Sequence, residues 1–228
     1  MTGFEGFADS KASFFKRLAK KNDRVWFAAH KDEFEAGWNA PMKALLADVK
    51  DAIDARYAHC DLAEPKVFRI FRDVRFAKDK SPYKTNIGGL IPIERQGTRV
   101  TDLPIALYFH IGADETLAAA GHYMMEPPSL ARFRKAVAED GRGKEVAKII
   151  ASLDKKGFKA SAHESLKRVP KEFDADHPRA ELLKGKGLIV RYPSVPAGLV
   201  TTPRLVKWLA DASKTAAPLV EWLVFATA

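Results

Sequence analysis

Two changes in the spacing of apolar residues constrain this chain more than any other feature. Up to Tyr57 the large apolar side chains recur every third or fourth residue, the spacing of helix faces packed on a core. From Pro65 to Tyr123 they come instead in short, β-branched and aromatic runs bounded by Gly, Pro or Asp. Helical spacing returns in SLARFRKAVAED and continues toward the C-terminus. Helices, a block of strands, then helices again make an α+β arrangement rather than alternating βαβ units. The expected fold therefore has N-terminal helices, a central, mostly antiparallel sheet of about four to six strands, and C-terminal helices.

Within that frame, Asp9 or Ser10 is expected to cap a short helix burying Phe14, Phe15 and Leu18, which Asn22 ends. Asp23 caps a second helix with the stripe Trp26, His30, Phe34 and Trp38, and Trp26, Phe27, Phe34 and Trp38 are read as core rather than as an exposed stacking platform. Asn39 and Pro41 are expected to start a new helix carrying Leu45, Val49, Ile53 and Tyr57. KVFRI, NIGGLIPI and PIALYFHI read as strands, with Thr116 to Tyr123 as a fourth and GLIVRY as a further one. Ser129 is the expected cap of a helix with Leu130, Phe133 and Val137, followed by helices around Val146 to Leu153 and Arg179 to Lys184. Thr202-Pro203 opens a C-terminal helix that Pro218 kinks or restarts. No repeat or linker divides residues 1–228, which read as one domain with a helical extension over 202–228.

The only cysteine is Cys60, so the fold relies on an ordinary core, and Cys60 itself reads as a small buried hydrophobe in a reducing compartment. Lys and Arg number 38 and Asp and Glu 29, a balance of +9 that favours anionic partners, either a small molecule or nucleic acid. Glu5 and Asp9 interrupt any N-terminal signal pattern, and the longest uncharged stretch, Tyr192 to Pro203, is too short and proline-rich to span a bilayer. The expected setting is cytoplasmic, with no membrane partner.

Phosphate-loop, dinucleotide-binding, nucleophile-elbow and paired C-x-x-C patterns are all missing, and Lys167 stands where His163-Glu164 would need a second zinc-binding His. No cofactor is implied. His110, His122 and Glu126 fall near one hairpin but share a face only in certain registers, so no metal site is expected. Asp174, Asp176 and His177-Pro178 read as a helix start, Asp176 being the cap, where His177 can also meet a bound anion. The densest chemistry lies in RIFRDVRFAKDKSPYK, Arg69 to Lys84. There Arg69, Arg72, Arg75, Lys78, Lys80 and Lys84 face only Asp73 and Asp79. Were its first half extended, Arg69, Asp73 and Arg75 would share one face while Ile70, Val74 and Phe76 anchored the other. Arginine forks suit phosphate or carboxylate, and Lys80 and Lys84 add point charges after the Ser81-Pro82 turn. The same composition also fits an ion-pair scaffold without a ligand.

The run FRIFRDVRFAKDKSPYKTNIGG resembles the signature of a family of hypothetical proteins catalogued as domain of unknown function 2461. Gly6-Phe7, Trp26-Phe27 after Asn22, the strand LYFHI, Leu130 with Arg134, and Pro170, His177 and Pro178 in RVPKEFDADHP extend the likeness from about Phe4 to Val190. Lys21 stands where the family pattern has a second Asn, and Thr98 to Asp102 is variable. The resemblance implies one intracellular domain with Arg69, Arg72, Asp73, Arg75, Lys80, Tyr83 and Lys84 as hallmark residues, and it implies no activity. A polar hallmark favours a ligand site, because packing alone is served by apolar residues. Two functions follow as expectations. One is recognition of a phosphate-bearing ligand, with or without catalysis on a nucleotide or phosphorylated metabolite, in which Asp73 or His177 would move protons. The other is a nucleic-acid or protein-binding module working through its basic surface.

Overall fold

A computed structural model describes residues 3–57, 60–95 and 104–227; the variable stretch Thr98–Asp102 lies outside them. The N-terminal part is helical, as its spacing requires. Helix α1 (Ser13–Lys20) buries Phe14, Phe15 and Leu18, and the Asp9 carboxylate accepts the Lys11 and Ser13 amides that precede and open it. Asp23 caps α2 (Arg24–Ala29) through the Trp26 amide, at 2.7 Å. In the Trp26 stripe Phe34 and Trp38 are buried, whereas Trp26 is half-exposed and stacks on the His30 ring at 3.9 Å.

One boundary differs from expectation. Asn39 caps nothing and is itself helical: α3 (Lys31–Phe34) runs through a π-helical turn, Glu35–Asn39, directly into α4 (Ala40–Ile53). Pro41 has no amide hydrogen and its ring crowds the preceding turn, so a regular helix would break there. The wide turn, in which the Ala40 amide bonds the Glu35 carbonyl, takes up the strain and keeps the rod continuous. Leu45, Val49 and Ile53 then face the core, and Tyr57 does so from a closing 3-10 turn, Asp54–Tyr57.

The strands are β1 (Cys60–Leu62), β2 (Lys66–Val67), β3 (Asn86–Arg95), β4 (Ile105–Gly112), β5 (Thr116–His122), β6 (Lys159–Ser161) and β7 (Leu188–Arg191). They pair antiparallel in the order β1-β3-β4-β5-β7-β6, with β2 also on β3. KVFRI gives only two strand residues, because the chain leaves β3 after Phe68. Helices α5 (Pro127–Ala138), α6 (Asp140–Asp154), α7 (Ala180–Lys184) and α8 (Arg204–Thr227) complete the chain. Glu126, not Ser129, occupies the cap position of α5. Pro127 and Pro128 fill the first turn, where their missing amides cost nothing, and the Ser129 hydroxyl bonds the Thr227 carbonyl instead. Asp176 likewise lies ahead of α7, its amide bonded to the Asp174 carboxylate. Pro218 sits inside α8 without ending it.

Helices α4 and α8 cover one face of the sheet. Leu46, Val49 and Leu209 meet Ile91, Leu107 and Phe109 there, around a cavity of about one water's size. Tyr57 and Tyr192 converge on Ser213 of α8, one hydroxyl donating to its carbonyl at 3.0 Å and the other to its Oγ at 3.1 Å. Cys60 is buried at the margin of this core. Among the described residues no helix is long and apolar enough to cross a membrane.

Candidate functional site

Residues 68–84 leave the sheet as a tongue whose root is laced like a hairpin. The Phe68 amide bonds the Gly88 carbonyl at 2.8 Å, Lys84 that of Ile70 at 2.8 Å, and Arg72 that of Pro82 at 2.9 Å, with Phe71 and Tyr83 bridged between them. Ile70 and Tyr83 are buried. Tyr83 stacks on Phe27 at 4.2 Å, and Asn22 grips it twice, donating to its carbonyl at 2.9 Å and accepting its amide at 3.1 Å. Asn22, expected only to end a helix, therefore docks the tongue on the helical layer.

The tip turns on its own acids. Asp73 accepts the Arg75 amide and Asp79 the Ser81 amide, each two residues on, which bends the chain at both places. The expected extended face is thus not formed: Phe76 is 94 % exposed and anchors nothing. Asp73 also receives the Arg75 guanidinium in a forked ion pair, closest contact 2.6 Å, and Asp79 pairs with Arg72. Hydrogen bonds from Arg75 hold the Asp73 carboxyl down at about 2, and those from Ser81, with Arg72, hold Asp79 below the usual carboxylate range. Asp73 is therefore ionised at neutral pH and has no proton to give. Lys80 closes the tip through the Val74 carbonyl at 2.9 Å.

Arg69 and Lys84, at the root, are arranged differently. Neither forms an ion pair among the described residues. Lys84 donates to the Arg69 carbonyl at 3.1 Å and its ammonium lies 5.6 Å from the Phe68 ring centre. Burial, with Arg69 adding to it, lowers the Lys84 pKa. Asp73 acts on Arg69 electrostatically but is itself forked to Arg75, so two cations held side by side are a local excess of positive charge that an anion would relieve.

Phe68 leads from this pair onto the second face of the sheet, opposite α4 and α8. Cross-strand register aligns Lys66, Leu90, Tyr108, Ala119, Arg191 and Lys159 in one row over this face, with Gly88, His110 and Leu117 in the next. Tyr108 is partly buried and the His110 side chain largely so, at 13 % exposed, with hydroxyl and Nδ1 3.0 Å apart. Burial raises Tyr108 to about 12 and lowers His110 below its ordinary 6.5, so both are uncharged at pH 7 and share one hydrogen bond. His110 Nε2 lies 3.8 Å from Glu115, itself paired with Arg191 at 2.6 Å. A side chain at Gly88 would come within 3.0 Å of the Tyr108 hydroxyl, so the glycine leaves room for that ring. Tyr123, 51 % exposed, stacks on His163 at 4.2 Å, with its hydroxyl 2.7 Å from Nδ1.

Of the predicted residues, the tongue gathers Arg69, Arg72, Asp73, Arg75, Lys80, Tyr83 and Lys84, but His177 is elsewhere. His177 Nδ1 accepts the Arg179 amide at 3.0 Å ahead of α7, which leads to the Leu188 end of β7. That end is in register with His122 and Ile105, whereas the tongue enters β3 at Asn86, beside Gly112. His110 and His122 sit at positions of the hairpin that face opposite sides of the sheet, and Glu126 heads α5, so they do not form one ligand set. In sequence His110 groups only with His122 and Glu126; its pairing with Tyr108 carried a signal in LYFHI, where alternate positions share a face.

Since both Asp73 and Arg75 are exposed, Arg75→Ala is expected to leave the denaturant midpoint unchanged within error. A clear fall in chemical denaturation would mean that this pair holds the tongue in place.

A family model described as conserved hypothetical protein (DUF2461) matches residues 10–222, continuing past Val190 into α8. No curated protein matches the chain.

Proposed function

The chain belongs to this family of conserved hypothetical proteins, and from the site itself we propose that its members' hallmark run serves to recognise a phosphate-bearing ligand. The observation that carries this reading is the juxtaposition of Arg69 and Lys84, neither of them in an ion pair among the described residues, beside the half-exposed Phe68 ring. Arg69 offers a guanidinium fork to phosphate oxygens, Lys84 a point charge, and Phe68 an apolar surface for the rest of the ligand. Arg72 and Arg75 are engaged by Asp79 and Asp73, so hallmark residues divide between surface ion pairs and ligand. The net charge of +9 assists the approach of anions, and the buried free thiol of Cys60 fits a reducing, cytoplasmic setting.

A panel of nucleotides and sugar phosphates at low salt tests the proposal by thermal unfolding. A ligand at one hundred times its Kd stabilises the fold by about 2.7 kcal/mol, a readily measured rise in Tm. Arg69→Ala and Lys84→Ala are expected to abolish the rise. An unchanged midpoint across the panel, inorganic phosphate and pyrophosphate included, overturns the reading.

A further inference from the structure

Resting on that phosphate site, we propose that the ligand is a single-stranded nucleic acid laid across the second face of the sheet from Phe68 toward Arg191. Four observations converge on this occupant. First, the face is built as a track: the row from Lys66 through Tyr108 to Arg191 and Lys159 crosses six strands, or about 24 Å at ordinary strand spacing. Such a length matches the small end of single-strand site sizes, about four nucleotides.

Second, the aromatic groups spread beside that track instead of gathering in one pocket, Tyr123 lying four residues along the chain from Ala119 of the row. Phe68 and Tyr108 have ring centres 6.2 Å apart, Tyr108 and His110 5.5 Å, and Tyr123 with His163 forms a further stacked pair. The charge of an ionised Tyr123 would act on the Tyr108 hydroxyl, so the two pairs lie within electrostatic range of each other. Every base has a π-face, so successive rings suit successive bases without selecting among them.

Third, Lys66, Arg69 and Lys84, which form no ion pair among the described residues, cluster at the β2 end, whereas Arg191 and Lys159 at the far end pair with Glu115 and Asp154 on the surface. One end therefore anchors a phosphate strongly and the other offers cations that change partner at little cost. Fourth, Tyr108 and His110 are uncharged at neutral pH, which suits stacking beneath a polyanion without a cation to bury. An acidic protein surface would satisfy the cations but leave the rings without a partner of matching shape.

Fluorescence anisotropy with labelled oligothymidylates of one to eight nucleotides, beside a hairpin duplex, tests this in the intact chain. The expected affinity rises at least tenfold between one and four nucleotides and then levels off. It falls with salt at a log–log slope of about −2, as about three phosphate contacts on a single strand predict. Tyr123→Ala, whose ring is half exposed, and Tyr108→Ala each weaken the tetramer roughly five- to a hundred-fold and leave the mononucleotide nearly unaffected. Tyr108→Phe, which keeps the ring, restores tetramer binding and guards against a folding defect in the alanine variant. Equal affinity for one and eight nucleotides, or for duplex and single strand, overturns the track while leaving the phosphate site standing. Failure of every phosphate-bearing probe to bind removes both.

Discussion

Arg179→Ala is expected to cost about 3–4 kcal/mol of stability and roughly 10 °C in Tm, a large share of what a domain of this size has in hand. The Arg179 side chain is only 7 % exposed and threads between α5 and α6. Its guanidinium donates to the carbonyls of Val137 at 2.7 Å and Ala138 at 3.1 Å where α5 ends, and more weakly to that of Glu139 at 3.4 Å, which also accepts the Gly143 amide. Removing it strands the buried Val137 carbonyl, leaves that of Ala138 short of a partner, and opens a void beside Gly143, where a Cβ would lie 2.1 Å from the Val137 oxygen and 2.5 Å from Arg179 Nε. The ion pair to Asp140 contributes little by comparison, because Asp140 is exposed, so Asp140→Ala leaves Tm unchanged within error. Arg179→Lys restores only part of the loss, since one ammonium cannot serve three carbonyls spread along a turn. Thermal and chemical denaturation of the three variants decides it: equal effects for Arg179→Ala and Asp140→Ala would show the carbonyl cap to be dispensable.

The second large effect is expected at Gly121. With φ of +132° it occupies backbone space closed to other residues, and it lies opposite Ile189 where β5 meets β7. A Cβ there would sit 2.3 Å from the Leu188 carbonyl oxygen and 2.8 Å from the Ile189 Cα, both backbone atoms that cannot swing aside. Backbone strain and overpacking together put Gly121→Ala at about 4 kcal/mol destabilising. Gly198→Ala is the matched control, having nothing within 4 Å of the added methyl, and is expected to be neutral. If both variants melt alike, the β5–β7 pairing yields more readily than its contacts indicate.

The sequence's two changes of apolar spacing were enough to order the helices and most strands, because a face buried in a core must repeat with the element that carries it. Cys60–Leu62 and Lys159–Ser161 escaped that logic: three residues are too few to display a period, and their neighbours β3 and β7 determine the pairing. Pro41 and Ser129 were misread for a common reason. Each is a local signal for a helix start, but tertiary packing carried one helix through the proline and gave the serine hydroxyl a partner at Thr227. In the basic run, composition identified the unusual segment but not its shape. Alternation held only to Phe68, after which Asp73 and Asp79 bent the chain back on itself. Arg179 gave no warning at all, since its partners lie about forty positions away and are main-chain carbonyls, which no side-chain pattern encodes.

The burial of Cys60 has a practical corollary. Its thiol is raised in pKa by desolvation, with Glu221 and Asp61 adding to the effect, so little thiolate exists at neutral pH and the sulfur is shielded from reagents. A maleimide dye offered to the wild-type protein therefore finds almost no nucleophile. A cysteine placed at the exposed Phe76 position becomes the one fast-reacting thiol without any need to remove the native one, and the tongue tip can carry a spectroscopic reporter on an otherwise unaltered chain.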